Sequence, residues 1–164
     1  MNPGVAIRAA RWEEAEAVAA LFNAINSLDG NTPEVPMTAE AVWRDLLGSD
    51  PLATLLVGTL DGAVVGFVTG NRLHDSGRSA GCTMVTDLYV APAARRHGIG
   101  RALMAALAAL ARARGDRCLW WGVDDGDDEA EEFYRAIGSR REEHFTGMIL
   151  VGERFEALAA EAGA

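Results

Sequence analysis

Apolar positions change their spacing several times along this chain, and each change predicts an element. Val5, Ala6 and Ile7 form a short apolar run that reads as a strand. Over residues 12–25 the spacing turns helical, with Val18, Leu21, Phe22 and Ile25 on one stripe. Glu13, Glu14 and Glu16 crowd the first turns, where unpaired amides favour anions. Gly30, Pro33 and Pro36 make residues 26–36 a loop. Thr38 is placed to cap a second helix, which runs to about Leu47 and stops at Gly48. Residues 53–59 read as a strand, Asp61-Gly62 as a hairpin turn, and residues 63–71 as the returning strand. A polar loop over 75–81 precedes a further strand over 82–90.

The second half continues in the same way. Residues 101–114 predict a helix with Leu103, Met104, Leu107, Leu110 and Ala111 on its buried side, ending at Gly115. Residues 118–123 read as a strand. Asp128 and Glu131 resemble a capping box opening a helix that ends at Gly138. Residues 148–151 read as a last strand and 153–160 as a terminal helix. The order β-α-α-β-β-β-α-β-α-β predicts an α/β (α+β) fold, one domain over 1–164, with a mixed sheet and helices on both faces.

Composition changes this picture little. The chain has 164 residues, 49% hydrophobic and 24% charged, as expected of an ordinary globular domain. No apolar run is long enough to span a bilayer, and the opening residues do not resemble a signal peptide, so no membrane partner and a cytoplasmic location are expected. Cys82 and Cys118 both fall in apolar strands and read first as two small buried hydrophobes in a reducing compartment, with a disulfide or a redox role as the lesser reading. The formal charge of −9 repels phosphate backbones, so nucleic acid is not an expected partner. His74, His97 and His144 are dispersed without ligand spacing, and no metal is predicted.

The candidate chemistry lies between Val85 and Leu103. A strand runs through Leu88, Tyr89 and Val90 to a turn marked by Pro92. The loop Arg95-Arg96-His97-Gly98-Ile99-Gly100 then opens a helix at Arg101. The first amides of a helix lack internal partners, glycines let backbone approach a bulky anion, and three arginines add charge. The segment therefore reads as a phosphate or pyrophosphate site or, equally, as an ordinary helix entry. It is not a P-loop, because no Gly-Lys-Ser/Thr ending follows.

Residues 95–100 resemble the Arg/Gln-x-x-Gly-x-Gly/Ala signature of the GNAT acetyltransferases. Asp127-Asp128-Glu129-Ala130-Glu131-Glu132-Phe133-Tyr134-Arg135-Ala136-Ile137-Gly138 resembles the same family's Asn-x-x-Ala-x-x-Phe-Tyr-x-x-x-Gly. The element order from Val5 to Val151 also resembles the family fold. Within the superfamily the chain is similar to the diamine and polyamine branch, although Thr86 stands where that branch often has an acid.

The resemblance implies a mostly antiparallel mixed sheet splayed between two strands, and acetyl-CoA as cosubstrate. It implies cofactor contacts from Leu88, Tyr89, Val90, Arg95, Arg96, His97, Gly98, Ile99, Gly100, Arg101 and Asp127. The backbone of Leu88 and Val90 would meet the pantetheine arm, and the amides over 96–101 the pyrophosphate. Tyr134 would protonate the leaving thiolate, and Asp87 is the candidate base or acceptor contact, or else a structural cap for backbone groups of the adjoining loop. Asp127, replacing the family's Asn, reads equally as a helix cap. Of Trp120 and Trp121, one is expected in the core and the other beside the acceptor cleft. The implied partner is a small amine, cationic given Asp29, Glu34, Asp87 and the overall charge, and the resemblance leaves room for a homodimer. A protein or peptide acceptor, or a non-catalytic CoA-binding domain, stays open.

Overall fold

The computed structural model describes residues 4–142 and 148–161. The chain divides into two compact units, Met1–Asp124 and Asp125–Ala164.

The first unit is built on a five-stranded sheet in the order β1-β2-β3-β4-β5. Its strands are β1 (Val5–Ala9), β2 (Thr54–Leu60), β3 (Ala63–Asp75), β4 (Ala80–Val90) and β5 (Cys118–Trp120). The first four are antiparallel in sequence, and β5 joins β4 in parallel. Asp61 and Gly62 both hold positive φ, 50° and 86°, as a tight hairpin between twisted strands requires.

Helices cover both faces. Helix α1 (Ala15–Asn26) and helix α2 (Ala39–Val42) pack on one face. Ala15, Val18, Ala19, Phe22 and Val42 there form one core cluster with Leu55, Val57, Phe67 and Tyr89. Helix α3 (Ile99–Ala113) buries Ile99, Leu103, Met104, Leu107 and Ala111. It lies on the opposite face, close enough that a Cβ on Gly58 would stand 2.6 Å from Ile99 Cγ2. A side chain at Gly58 would push the helix and sheet apart.

Several local expectations are refined. A 3-10 turn over Trp12–Glu14 precedes α1. Helix α2 gives way to a π turn over Trp43–Leu47, and Trp43 stacks on Trp12 with ring centroids 5.4 Å apart. The Thr38 hydroxyl accepts from the Ala41 amide, so the expected cap forms. Strand β3 runs four residues beyond its predicted end, because the 75–81 segment is a tight hairpin with β4 rather than an open loop.

The cysteine expectation is overturned: Cys82 and Cys118 form a disulfide. They face each other in the parallel β4–β5 register, with Cα atoms 4.9 Å apart, inside the range a bridge requires. Spacing in sequence carried no sign of this, because the two are 36 residues apart and only the pairing joins them.

Strand β5 also ends three residues early. Trp120 closes it and Trp121 follows it, and both indoles are half-buried, so neither is the core residue expected.

The second unit holds α4 (Asp128–Ala136) and α5 (Gly152–Glu161). Its helix cap is Asp127, whose carboxylate accepts from the Ala130 amide at 2.9 Å. That places the cap one residue before the Asp128–Glu131 box read from sequence. The last strand expected over 148–151 does not form, and Met148 and Ile149 are 90% and 84% exposed. Periodicity can mark a strand but cannot supply an edge to pair with, and among its described residues this unit holds helices and turns but no strand.

Candidate active site

The site begins where β4 loses its outer neighbour. Pairing with β5 covers only Cys82 to Met84, so residues 85–90 have no β5 partner. The Ala91 amide donates to Val65 O at 2.8 Å. Alternation along the strand then turns the backbone groups of Asp87 and Tyr89 towards β3, and those of Leu88 and Val90 towards the open edge. In agreement, Arg95 Nε donates to Val90 O at 3.3 Å. An open strand edge offers amides and carbonyls in the spacing of an extended amide-bearing chain.

Past Val90, a 3-10 turn over Pro92–Ala94 buries Ala94 and turns the chain. Arg96 then takes a left-handed φ of 66°, and Gly98 one of 79° as the N-cap of α3. A non-glycine residue in that region carries strain, which concentrates where a backbone must present its amides in a fixed way. His97 Nδ1 lies 2.9 Å from Arg95 O, across this turn. Ile99 is 1% exposed and pins the start of the helix to the sheet.

The first internal bond of α3 runs from the Ala102 amide to Gly98 O. The amides of Ile99, Gly100 and Arg101 therefore precede the helical ladder and form its positive end. Arg95, Arg96, His97, Gly98 and Arg101 are exposed around them, and Gly100 is half-buried. Backbone amides at a helix start, left-handed backbone and guanidinium groups nearby make a donor set that could hold an anionic group.

Asp87 lies on the face covered by α1 and α2, two residues from Tyr89, which is itself 7% exposed in the core cluster. Its carboxylate Oδ2 accepts from Thr69 Oγ1 at 2.6 Å, and Thr69 Oγ1 lies 2.7 Å from Thr86 Oγ1. The register explains the meeting. Thr69 pairs with Asp87 and Gly70 with Val85, so Thr86 is an extra residue in β4. A bulge of this kind directs two successive side chains to one side. Thr69 was not singled out from sequence. A threonine within an apolar strand reads as a β-former, and only the register reveals its partner.

The remaining candidates, Asp127 and Tyr134, belong to the second unit. Tyr134 is half-buried in α4 and meets Phe133 edge to face, with centroids 5.2 Å apart. Burial, and then the nearby Asp127 carboxylate, raise its phenol from 10.0 to about 12. It thus holds its proton through the neutral range. His144 lies outside the described residues, and among the described residues no cluster of His, Cys, Asp or Glu could hold a metal ion.

Residues 15–138 match the acetyltransferase (GNAT) family. The chain belongs to that family of acyl-transferring enzymes. It is 31% identical over 129 residues to a mycothiol acetyltransferase of Actinosynnema mirum, a match covering 79% of this chain and 40% of that protein. It therefore spans less than half the length of that relative. It is 26% identical to an uncharacterised N-acetyltransferase, YhfO, of Bacillus subtilis, covering 88% of this chain and 95% of that one. Among solved structures it resembles an aminoglycoside acetyltransferase, HMB0005, from an uncultured soil metagenomic sample. That match has a TM-score of 0.67 and 25% identity, and covers 90% of this chain and 99% of the other. The mixed sheet with helices on both faces is the fold such neighbours share.

Proposed function

We propose that the protein is an acetyl-CoA-dependent N-acetyltransferase that modifies a primary amine of a small cationic acceptor. The observation that carries this is the continuous path from the open β4 edge, through the left-handed turn at Arg96 and Gly98, to the start of α3. Leu88 and Val90 hold the pantetheine amides along that edge, with Arg95 held at its end by Val90 O. The amides of residues 99–101, with Arg96 and Arg101, hold the pyrophosphate. Bound acetyl-CoA supplies the acetyl group as a thioester.

Asp87 takes the proton from the acceptor's ammonium, directly or through water, so that the neutral amine attacks the carbonyl carbon. The new C–N bond would form as the C–S bond breaks; Tyr134 would give its proton to the departing sulfur, the second proton of the acylated nitrogen would return to the Tyr134 phenolate through water, and Asp87 would release its own to solvent. The phenol carries its proton at neutral pH with or without the shift to about 12, and that shift makes it the weaker acid, so its role rests on the family resemblance. The net charge of −9 supports a cationic acceptor, as does resemblance to an aminoglycoside acetyltransferase, whose named substrate class carries amines.

The test is a panel of diamines, polyamines, aminoglycosides, amino acids and N-terminal peptides incubated with acetyl-CoA, read by release of free thiol. Turnover with cationic small amines is expected. Turnover with peptides alone would replace the acceptor and keep the chemistry. Acetyl-CoA binding by calorimetry without release from any amine would make the protein a non-catalytic CoA-binding domain.

A further inference from the structure

The Thr86–Thr69–Asp87 contact has a direction that follows from proton counting. An ionised carboxylate only accepts, so the single Thr69 hydroxyl proton goes to Asp87 Oδ2 at 2.6 Å. Thr69 Oγ1 then has only lone pairs left for Thr86, 2.7 Å away, and Thr86 must be the donor of that pair. The chain runs from the exposed Thr86 through the buried Thr69 to Asp87, each hydroxyl oriented by the one behind it.

Thr69 is well suited to hold a carboxylate still. It is 2% exposed and sits mid-strand between Leu55 of β2 and Asp87 of β4. Its neighbours Phe67 and Val68 are wholly buried. A β-branched side chain in such a place has a restricted χ1, so its hydroxyl is a fixed point. Asp87, by contrast, is half-buried, and among the described residues nothing else hydrogen-bonds its carboxylate. One oxygen is tied and Oδ1 is left for other work.

We infer that Thr69 is a positioning residue for the acetyl transfer: it fixes the Asp87 carboxylate so that Oδ1 meets the acceptor's ammonium, with Thr86 aligning its hydroxyl from behind. The inference rests on Asp87 acting on the acceptor, as proposed above. Thr69 touches neither substrate, and its effect passes through Asp87 alone.

The test is a double-mutant cycle on the full chain, with thermal unfolding recorded for every variant. Thr69→Val keeps shape and removes the hydroxyl. It is expected to lower kcat about five- to tenfold and leave the KM for acetyl-CoA unchanged. Thr69→Ser restores the hydroxyl and is expected to return kcat to within about twofold of the parent. In an Asp87→Asn background, Thr69→Val should cause no further loss, because there is no carboxylate left to position. Wild-type kcat in Thr69→Val, or an equal fold-loss in both backgrounds, overturns the inference while leaving Asp87 its role. A fold-loss that Thr69→Ser shares, with matching loss of thermal stability in both variants, overturns it too, since packing would then explain the effect. Wild-type turnover in Asp87→Asn overturns the reading of Asp87 itself and the inference with it.

Discussion

Two carboxylates stand on either side of the point where β5 leaves β4, and the sheet keeps them very differently. On the paired side, beside the Cys82–Cys118 bridge, the Asp116 side chain is wholly buried. It accepts from Arg72 Nε and from Thr83 Oγ1, each at 2.8 Å. Burial alone would raise its pKa, but the bonds from Arg72 and Thr83 outweigh that, and the net shift is downward. On the open side, Asp87 is half-buried and held by one hydroxyl. Asp116 has every reason to stay an ion and nothing left to give. Asp87 is oriented yet keeps lone pairs to spare, which is what a group that binds or accepts a proton needs.

The contrast can be broken most forcefully at Asp87. Replacing it by Asn should lower kcat with a cationic amine by about a hundredfold or more, the scale of a lost general base. Thermal stability should barely change, since a half-exposed amide still meets Thr69. Steady-state kinetics beside a melting curve checks both parts.

Asp116→Asn should do the reverse. Losing a charge-assisted bond at a buried site costs about 2 kcal/mol, or roughly 4–8 °C in Tm for a chain of this size, while kcat stays within about twofold. The pH dependence follows in sign. A carboxyl with a depressed native pKa adds stability that is complete above its ordinary value of 3.8 and is lost as pH falls through the native one. The wild type should therefore lose more stability than Asp116→Asn on acidification below about pH 4, read by unfolding midpoints along a pH series.

Tyr134→Phe tests the proposed acid by itself. If Asp87 removes a proton and Tyr134 supplies one, the phenylalanine variant should lose about tenfold in kcat with little change in acetyl-CoA affinity. Turnover near wild type would pass the acid's role to water. The smallest effect expected is electrostatic. With a cationic acceptor, KM should rise about two- to threefold between low and high salt, as screening shortens to about 8–10 Å near physiological ionic strength. Asp87→Asn should flatten that dependence.

Much of this was legible in the residues. The helical stripe through Leu103 and Leu107, the Asp61-Gly62 turn and the Thr38 cap all formed as their local chemistry dictates. The Arg95–Gly100 segment could also be placed at a helix start, because glycine, arginine and an apolar stripe leave few alternatives. What local chemistry could not show were relations across the sheet. Cys82 and Cys118 looked like separate apolar residues until the β4–β5 register set them opposite each other. Residues 148–151 had a strand's composition but, among the described residues of their own unit, no strand to join. Thr69 looked like an ordinary strand residue until a bulge brought Thr86 and Asp87 to it.

The sequence by itself determined most of the helical and extended segments, the Asp61-Gly62 turn, and which stretch carries the family's cofactor-binding pattern. These depend on neighbours within a few residues, through side-chain periodicity, caps and left-handed turns. Tertiary structure alone decided that β5 leaves β4 after Met84, that Asp116 is satisfied while Asp87 is only tethered, and that Thr69 does the tethering. Strand register is set by long-range pairing, and a single inserted residue at Thr86 changes which side chains meet without leaving a mark in the local pattern.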